Sequence, residues 1–359
     1  MGDRRIVAPR WICPALALPG QAFDLVVEGR ISADARVCLT RGGDEVPVAV
    51  ESAEPVTGMG AYAGPLTRLR CRPESWPTVG QRLWDLEIIM GNRREVAPNS
   101  VCLLAEQPQE ITLAHTSDLH LLLAQDGRLA ERRGVARALV DAINALKPDL
   151  VLNTGDLISR YGVNQARLSD AQIRWQARQA RRIFSALEAP MFVIPGNHDL
   201  AFEASRAACA EEMGLPWGRD TDDYCFDLGP TRFIALDGRQ YCDEITGNKL
   251  APERSEAQKA WLRDALRSSP SESMRVVLTH YDYAGDIGPI LAEEGCDLLL
   301  IGHTNAPPEG EAPWIDGHLS GTLALRVWRI GDGRAIPGQE LTYAQLGVAS
   351  PFDEALLAE

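Results

Sequence analysis

The chain is poor in positive charge, and its cationic residues are almost all of one kind. Lysine and arginine number 36 against 50 aspartates and glutamates, giving a formal charge of −14 and a pI near 5.0. Lys147, Lys249 and Lys259 are the only lysines, which reads as codon bias rather than chemistry. Nucleic acids and anionic membranes both demand a basic footprint, so neither is an expected partner. No apolar run approaches the ~20 residues of a membrane span. The basic start (Arg4, Arg5, Arg10) leads into a short apolar stretch broken by Pro14 and Pro19, a poor secretory leader. The expected location is cytoplasmic, or periplasmic or secreted if a leader was removed. None of the eight cysteines forms a C-x-x-C pair, which argues against a zinc knuckle or a thioredoxin-type centre. Cys38, Cys71 and Cys102 lie in strand-like runs and are expected to be buried thiols.

What is present is ordinary globular material, 45% apolar and 24% charged, and 359 residues suffice for two domains. Residues 1–108 read as all-β. Strand-like runs at 22–27, 35–40, 46–50, 66–71, 82–90 and 99–104 are separated by turn clusters such as Arg41-Gly42-Gly43-Asp44 and Gly91-Asn92. Trp84, Leu86 and Ile88 should share a buried face, with Asp85 and Glu87 opposite. Such a series of short strands suggests an immunoglobulin- or fibronectin-like sandwich.

Residues 109–359 change texture to strands alternating with helices. Helices are expected over 128–146, from a capping box at Ser169-Asp170-Ala171-Gln172, and over 252–267. Strands are expected at 111–116, 149–153, 191–194, 224–227, 233–237, 275–279, 298–301 and 322–330. The strand-rich end argues against a simple doubly wound fold and for two sheets packed face to face.

Five of these strands run directly into polar segments: TSDLHL with Asp118 and His120, NTGDLIS with Asp156, PGNHDL with Asn197, His198 and Asp199, LTHYDY with His280, and IGHTN with His303 and Asn305. Each delivers a hard oxygen or an imidazole to one sheet edge, the donor set of a two-metal centre. Any one of these blocks alone would be weak. Their recurrence in order, each past an apolar strand, makes the signal specific. His115 and His318 are expected to be structural.

The set resembles the calcineurin-like metallophosphoesterases, whose pattern is D-x-H, G-D, G-N-H-D/E, H and G-H-x-H. The resemblance implies an αββα sandwich holding two divalent ions, with Mn, Fe and Zn all suited to the donors. It further implies that Asp156 bridges the ions, that Asn197, His280 and His303 bind one, and that Asp118 and His120 bind the other. Asn305 stands where the family places its last histidine, a weaker donor. His198 would contact the phosphate or protonate the leaving group, with Asp199 holding its ring. Arg160 falls where superfamily phosphatases carry a phosphate-binding arginine, although Ser159 replaces the aspartate of G-D-x-x-D-R-G, and a surface arginine is the equal alternative. By their position beside the ligands, Tyr161, Tyr281, Asp282 and Tyr283 are expected to shape the pocket, with simple packing the alternative.

Over roughly residues 111–330, the segments at Phe233–Asp237, Gln258–Leu262 and Leu278–His280 resemble the branch containing class III cyclic-nucleotide phosphodiesterases. The branch's usual His-His-Pro reads Thr279-His280-Tyr281 here. The expected activity is hydrolysis of a small phosphodiester, such as a cyclic nucleotide, by in-line attack of a metal-bridging hydroxide. A broad phosphomonoesterase, or a binding protein impaired by Asn305, are the alternatives.

Overall fold

A computed structural model describes residues 6–31, 35–56, 64–78, 81–125, 128–159, 168–200, 209–214, 223–237, 256–271, 273–280, 284–303, 314–317, 319 and 323–347. The first part contains β1 (Ile6–Ala8), β2 (Ala15–Ala17), β3 (Phe23–Glu28), β4 (Arg36–Arg41), β5 (Asp44–Val56), β6 (Leu66–Pro73), β7 (Gln81–Met90) and β8 (Arg93–Leu104). They form one hydrogen-bonded sheet in the order β1-β3-β6-β5-β4-β7-β8-β2. The thirteen-residue β5 pairs with β4 through its first half and with β6 through its second, with a register shift between Val50 and Ser52. A single apolar cluster draws on β3, β4, β6, β7 and β8 together, including Leu25, Leu39, Leu69, Leu86 and Val101. Trp84, Leu86 and Ile88 are buried as the alternation requires. Glu87 on the opposite face is buried too, because Arg94 and Thr40 bind its carboxylate. Cys38, Cys71 and Cys102 are buried thiols; burial pushes those of Cys71 and Cys102 up to about 12.

The second part is an αββα sandwich. One five-stranded sheet contains β9 (Ile111–Thr116), β12 (Leu150–Asn153), β13 (Met191–Val193), β19 (Leu323–Gly331) and β20 (Arg334–Thr342), in the order β13-β12-β9-β19-β20. The other contains β14 (Tyr224–Leu228), β15 (Thr231–Leu236), β16 (Met274–Thr279), β17 (Leu298–Ile301) and β18 (Ile315–Asp316), in that order. Alternation along the strands sends one set of side chains between the sheets. Leu113, Leu152 and Trp328 meet Phe233, Val276, Leu278 and Leu300 there. The opposite faces take helices. Ala114, Val151 and Val193 pack with α1 (Arg133–Leu146) and α2 (Asp170–Phe184). Ile234, Val277 and Leu299 pack with α4 (Glu256–Arg267) and α5 (Ala284–Glu294).

The capping box at Ser169 forms as expected, its hydroxyl accepting from Gln172 N. The helix expected from residue 128 begins only at Arg133. Residues Arg128–Glu131 instead form β11, which pairs with β10 (Leu122–Gln125) in a hairpin, so cross-strand bonding overrides the helical spacing read there.

Candidate metal centre

β9, β12, β13, β16 and β17 run parallel within their sheets. Their carboxyl ends converge at one edge, the usual ligand-binding end of such sheets. Asp118 follows β9 by two residues, Asp156 follows β12 by three, and Asn197 opens the short helix α3 (Asn197–Leu200). His280 follows β16 directly, and His303 follows β17 by two residues.

The backbone at this edge is unusual. Asp118, His120, Asp156 and His303 all have positive φ, between 43° and 56°. Residues with a Cβ rarely adopt this region, and it recurs where function holds the chain in place. Two backbone bonds lock the first two loops together, Asp118 N to Gly155 O at 2.9 Å and His120 N to Asp156 O at 3.0 Å. Gly155 has φ +107°, and a Cβ there would lie 2.7 Å from both Gly196 N and His280 Nδ1. Only glycine admits this approach.

The donors face one another. Asp156 is 1% exposed, and its Oδ1 accepts from His198 N at 2.8 Å. Its Oδ2 is buried and finds no hydrogen-bond partner among the described residues. That oxygen lies 3.3 Å from His280 Nε2 and 3.8 Å from His120 Nε2. His280 Nδ1 lies 2.6 Å from Thr154 O, so it is the protonated nitrogen, and Nε2 points at Asn197 Oδ1, 2.9 Å away. Asp118 Oδ2 accepts from Ser117 Oγ at 2.5 Å and from His303 N at 3.0 Å, while Oδ1 is 3.8 Å from His120 Nε2. Two donor groups result: Asp118, Asp156, His280 and His303 in one, and His120, Asp156 and His198 in the other. Asp156 belongs to both, as a bridging carboxylate would.

Electrostatics tell the same story. Burial alone would raise Asp156, but the His280 and His198 charges hold its carboxyl well below the usual range. Burial pulls the His280 imidazole down, and the facing Asp156 carboxylate outweighs it, lifting the group to about 9. Burial drives His120 below its ordinary value. A buried, bond-lacking carboxylate oxygen among imidazole nitrogens and an amide oxygen suits a divalent cation, which would take over the charge that protonated histidine supplies here. The residues fit the metal pair that their pattern implies.

Other expected residues have distinct places. Asp199 is fully buried, and its carboxylate accepts the amides of Asp156 (2.8 Å), Gly196 (2.9 Å) and Ile158 (3.2 Å), so it staples the G-D loop to the G-N-H loop. Burial, then the charge of Asp156, push it up to about 7. His115 is structural as expected, packed in β9 with Nε2 3.0 Å from Thr154 Oγ1. Arg160, Tyr161, Tyr281, Asp282, Tyr283, Asn305 and His318 lie outside the described residues. Sequence reasoning missed Gln176 on α2. Its buried Oε1 accepts from both Leu122 N (3.1 Å) and Ser159 N (2.7 Å), and its Nε2 donates to Ser159 O (2.7 Å). A glutamine among the apolar positions of the buried face of an amphipathic helix was the available signal.

A family model described as calcineurin-like phosphoesterase matches residues 111–307, more than half of the chain. The chain belongs to this family. A curated relative, the glycerophosphodiester phosphodiesterase GpdQ of Enterobacter lignolyticus, is 26% identical over 200 residues. That alignment covers 53% of this chain and 64% of the relative, so the chain spans less than two thirds of the relative's length. A crystal structure of a dimetal phosphatase from Danio rerio aligns with 65% of this chain and 98% of its own, at a TM-score of 0.45 and 15% identity. Among the described residues, no helix is long and apolar enough to cross a membrane.

Proposed function

We propose that this calcineurin-like phosphoesterase is a phosphodiesterase that uses two divalent cations to hydrolyse a small diester, of the class that includes glycerophosphodiesters and cyclic nucleotides. The observation that carries the reading is the Asp156 carboxylate, shared by both donor groups with one buried oxygen that has no hydrogen-bond partner among the described residues. Diester over monoester is supported by the relative named a phosphodiesterase.

Asp118, His120, Asp156, Asn197, His280 and His303 would hold the cations, with Asn305 completing the set through its amide oxygen. Bound there, the pair would polarise a water and neutralise the phosphoryl oxygens. The protein's part is placement. Thr154 O fixes the tautomer of His280, and the Asp199 staple keeps the G-D and G-N-H loops in register. His198, half-buried at the rim, would protonate the leaving oxygen. Arg160 would bind a phosphoryl oxygen through its planar fork.

The test is metal-stripped protein titrated with manganese, assayed on bis-p-nitrophenyl phosphate beside p-nitrophenyl phosphate. Diester turnover should exceed monoester turnover, and Asp156→Asn should lower it at least about a hundredfold with an unchanged circular dichroism spectrum. Near-normal turnover in Asp156→Asn would refute the shared-carboxylate reading. No turnover of either ester with manganese, iron or zinc would make the chain a binding protein.

A further inference from the structure

We infer that Arg132, backed by Tyr343, is the residue that positions His120 to hold one of the two cations. The inference rests on the two-cation reading above and adds to it a pair of residues outside every motif block.

Arg132 is the N-cap of α1, a position that favours Ser, Thr, Asp or Asn, and its side chain makes no capping bond. A cation there also opposes the positive end of the helix dipole. The helix gains no cap from this side chain, which instead turns back to the D-x-H loop and is only 5% exposed. Its Nη1 donates to Leu119 O at 3.1 Å, and its backbone N–H donates to Leu121 O at 3.0 Å. Leu119 stands between Asp118 and His120. The peptide unit joining Leu119 to His120 is therefore held at both ends, its carbonyl by Arg132 and its N–H by Asp156 O at 3.0 Å. His120 has φ +43°, a conformation that a residue with a Cβ keeps only where its surroundings hold it. Fixing that peptide plane fixes the direction in which the imidazole leaves the backbone.

Tyr343 holds Arg132 in turn. It follows β20 directly and is 2% exposed, and its hydroxyl accepts a hydrogen bond from the guanidinium, whose carbon lies 5.4 Å from the ring centroid. Burial pushes that hydroxyl up to about 12, so it stays uncharged near neutral pH. A guanidinium suits the task, because it is always charged and its separate N–H groups bond Leu119 O and Tyr343 together. The end of β20 is thereby tied to the first ligand loop. Without Arg132 the Leu119–His120 peptide could rotate and carry the imidazole off its cation. Asn197 and His280, bonded to each other and to Thr154 O, would stay in place.

The two cations provide an internal comparison for the test. Metal-stripped full-length protein is titrated with manganese, and free manganese is counted by its electron paramagnetic resonance signal. Wild type should bind two ions, and His120→Ala should weaken one binding step alone. Arg132→Met is expected to weaken that same step about 10- to 100-fold. Tyr343→Phe, which keeps the ring and removes one bond, should weaken it about 3- to 10-fold. In each variant the other step should change less than about threefold. A side chain that only stabilised the fold would lower the melting temperature without separating the two steps. Tyr343→Phe carries the test by itself if Arg132→Met does not fold. Unchanged binding, or equal weakening of both steps, while His120→Ala remains selective would overturn the role given to Arg132 and Tyr343. Fewer than two ions in wild type, or equal weakening of both steps in His120→Ala, would overturn the two-cation reading and the inference with it.

Discussion

Among the described residues seven non-glycine positions have positive φ, and four of them are candidate ligands. Each such residue costs on the order of 1 kcal/mol or more, so the edge is held by its surroundings rather than by local preference. Gly155 is where this is least forgiving. In Gly155→Ala the new Cβ meets Gly196 N and His280 Nδ1 at 2.7 Å, with φ at +107°. The expected outcome is a loss of about 2–3 kcal/mol in urea unfolding together with weaker metal binding; an unchanged midpoint would show that the loop relaxes freely. The ligand candidates were readable in the sequence because ordered polar residues after apolar strands are a local pattern. Gln176 was not. It is a polar residue without spacing partners in a motif, and its importance comes only from burial against a loop distant in the chain.

At the scale of elements, α2 does more than cover a sheet. Its amphipathic face buries Ile173, Ala177, Ala180 and Ile183, and Gln176 on the same face ties the helix to the loops after Asp118 and Asp156. Gln176→Leu would leave Leu122 N and both backbone groups of Ser159 without this partner. A loss of roughly 2–3 kcal/mol is expected, because an unsatisfied buried backbone group costs about 1–3 kcal/mol and some of these would regain water. Thermal melts beside kinetics on one diester check this, and turnover should fall as well, since the loops that follow Asp118 and Asp156 lose their common tie to the helix. The capping box of α2 was legible because it is written within four residues. The β10–β11 hairpin was not, since helical spacing from Leu129 onward extended past the true start of α1 at Arg133. Cross-strand pairing leaves no mark at that period.

At the scale of the whole molecule, the amino-terminal β region is built into the phosphoesterase fold. Trp11, 2% exposed, stacks on Phe184 of α2 with ring centroids 6.0 Å apart. Ile12 O accepts from Val193 N at 2.9 Å, a bond to the edge strand that leads to Asn197. Leu83, Cys102 and Leu104 join the apolar layer between the two sheets. Trp11→Ala is therefore expected to cost about 3–5 kcal/mol and to lower both regions in one shared transition, read by urea unfolding followed through fluorescence and through loss of turnover; two separate transitions would refute the shared core. The sequence by itself determined the layering and the donor set, since alternation within strands and polar residues at strand ends are short-range patterns that any register of the fold must respect. Only the tertiary structure decided which donors meet at Asp156, that Asp199 and Gln176 join the ligand loops, and that the first hundred residues share the second part's core. Those depend on contacts between positions tens to hundreds of residues apart, where local propensity carries no information.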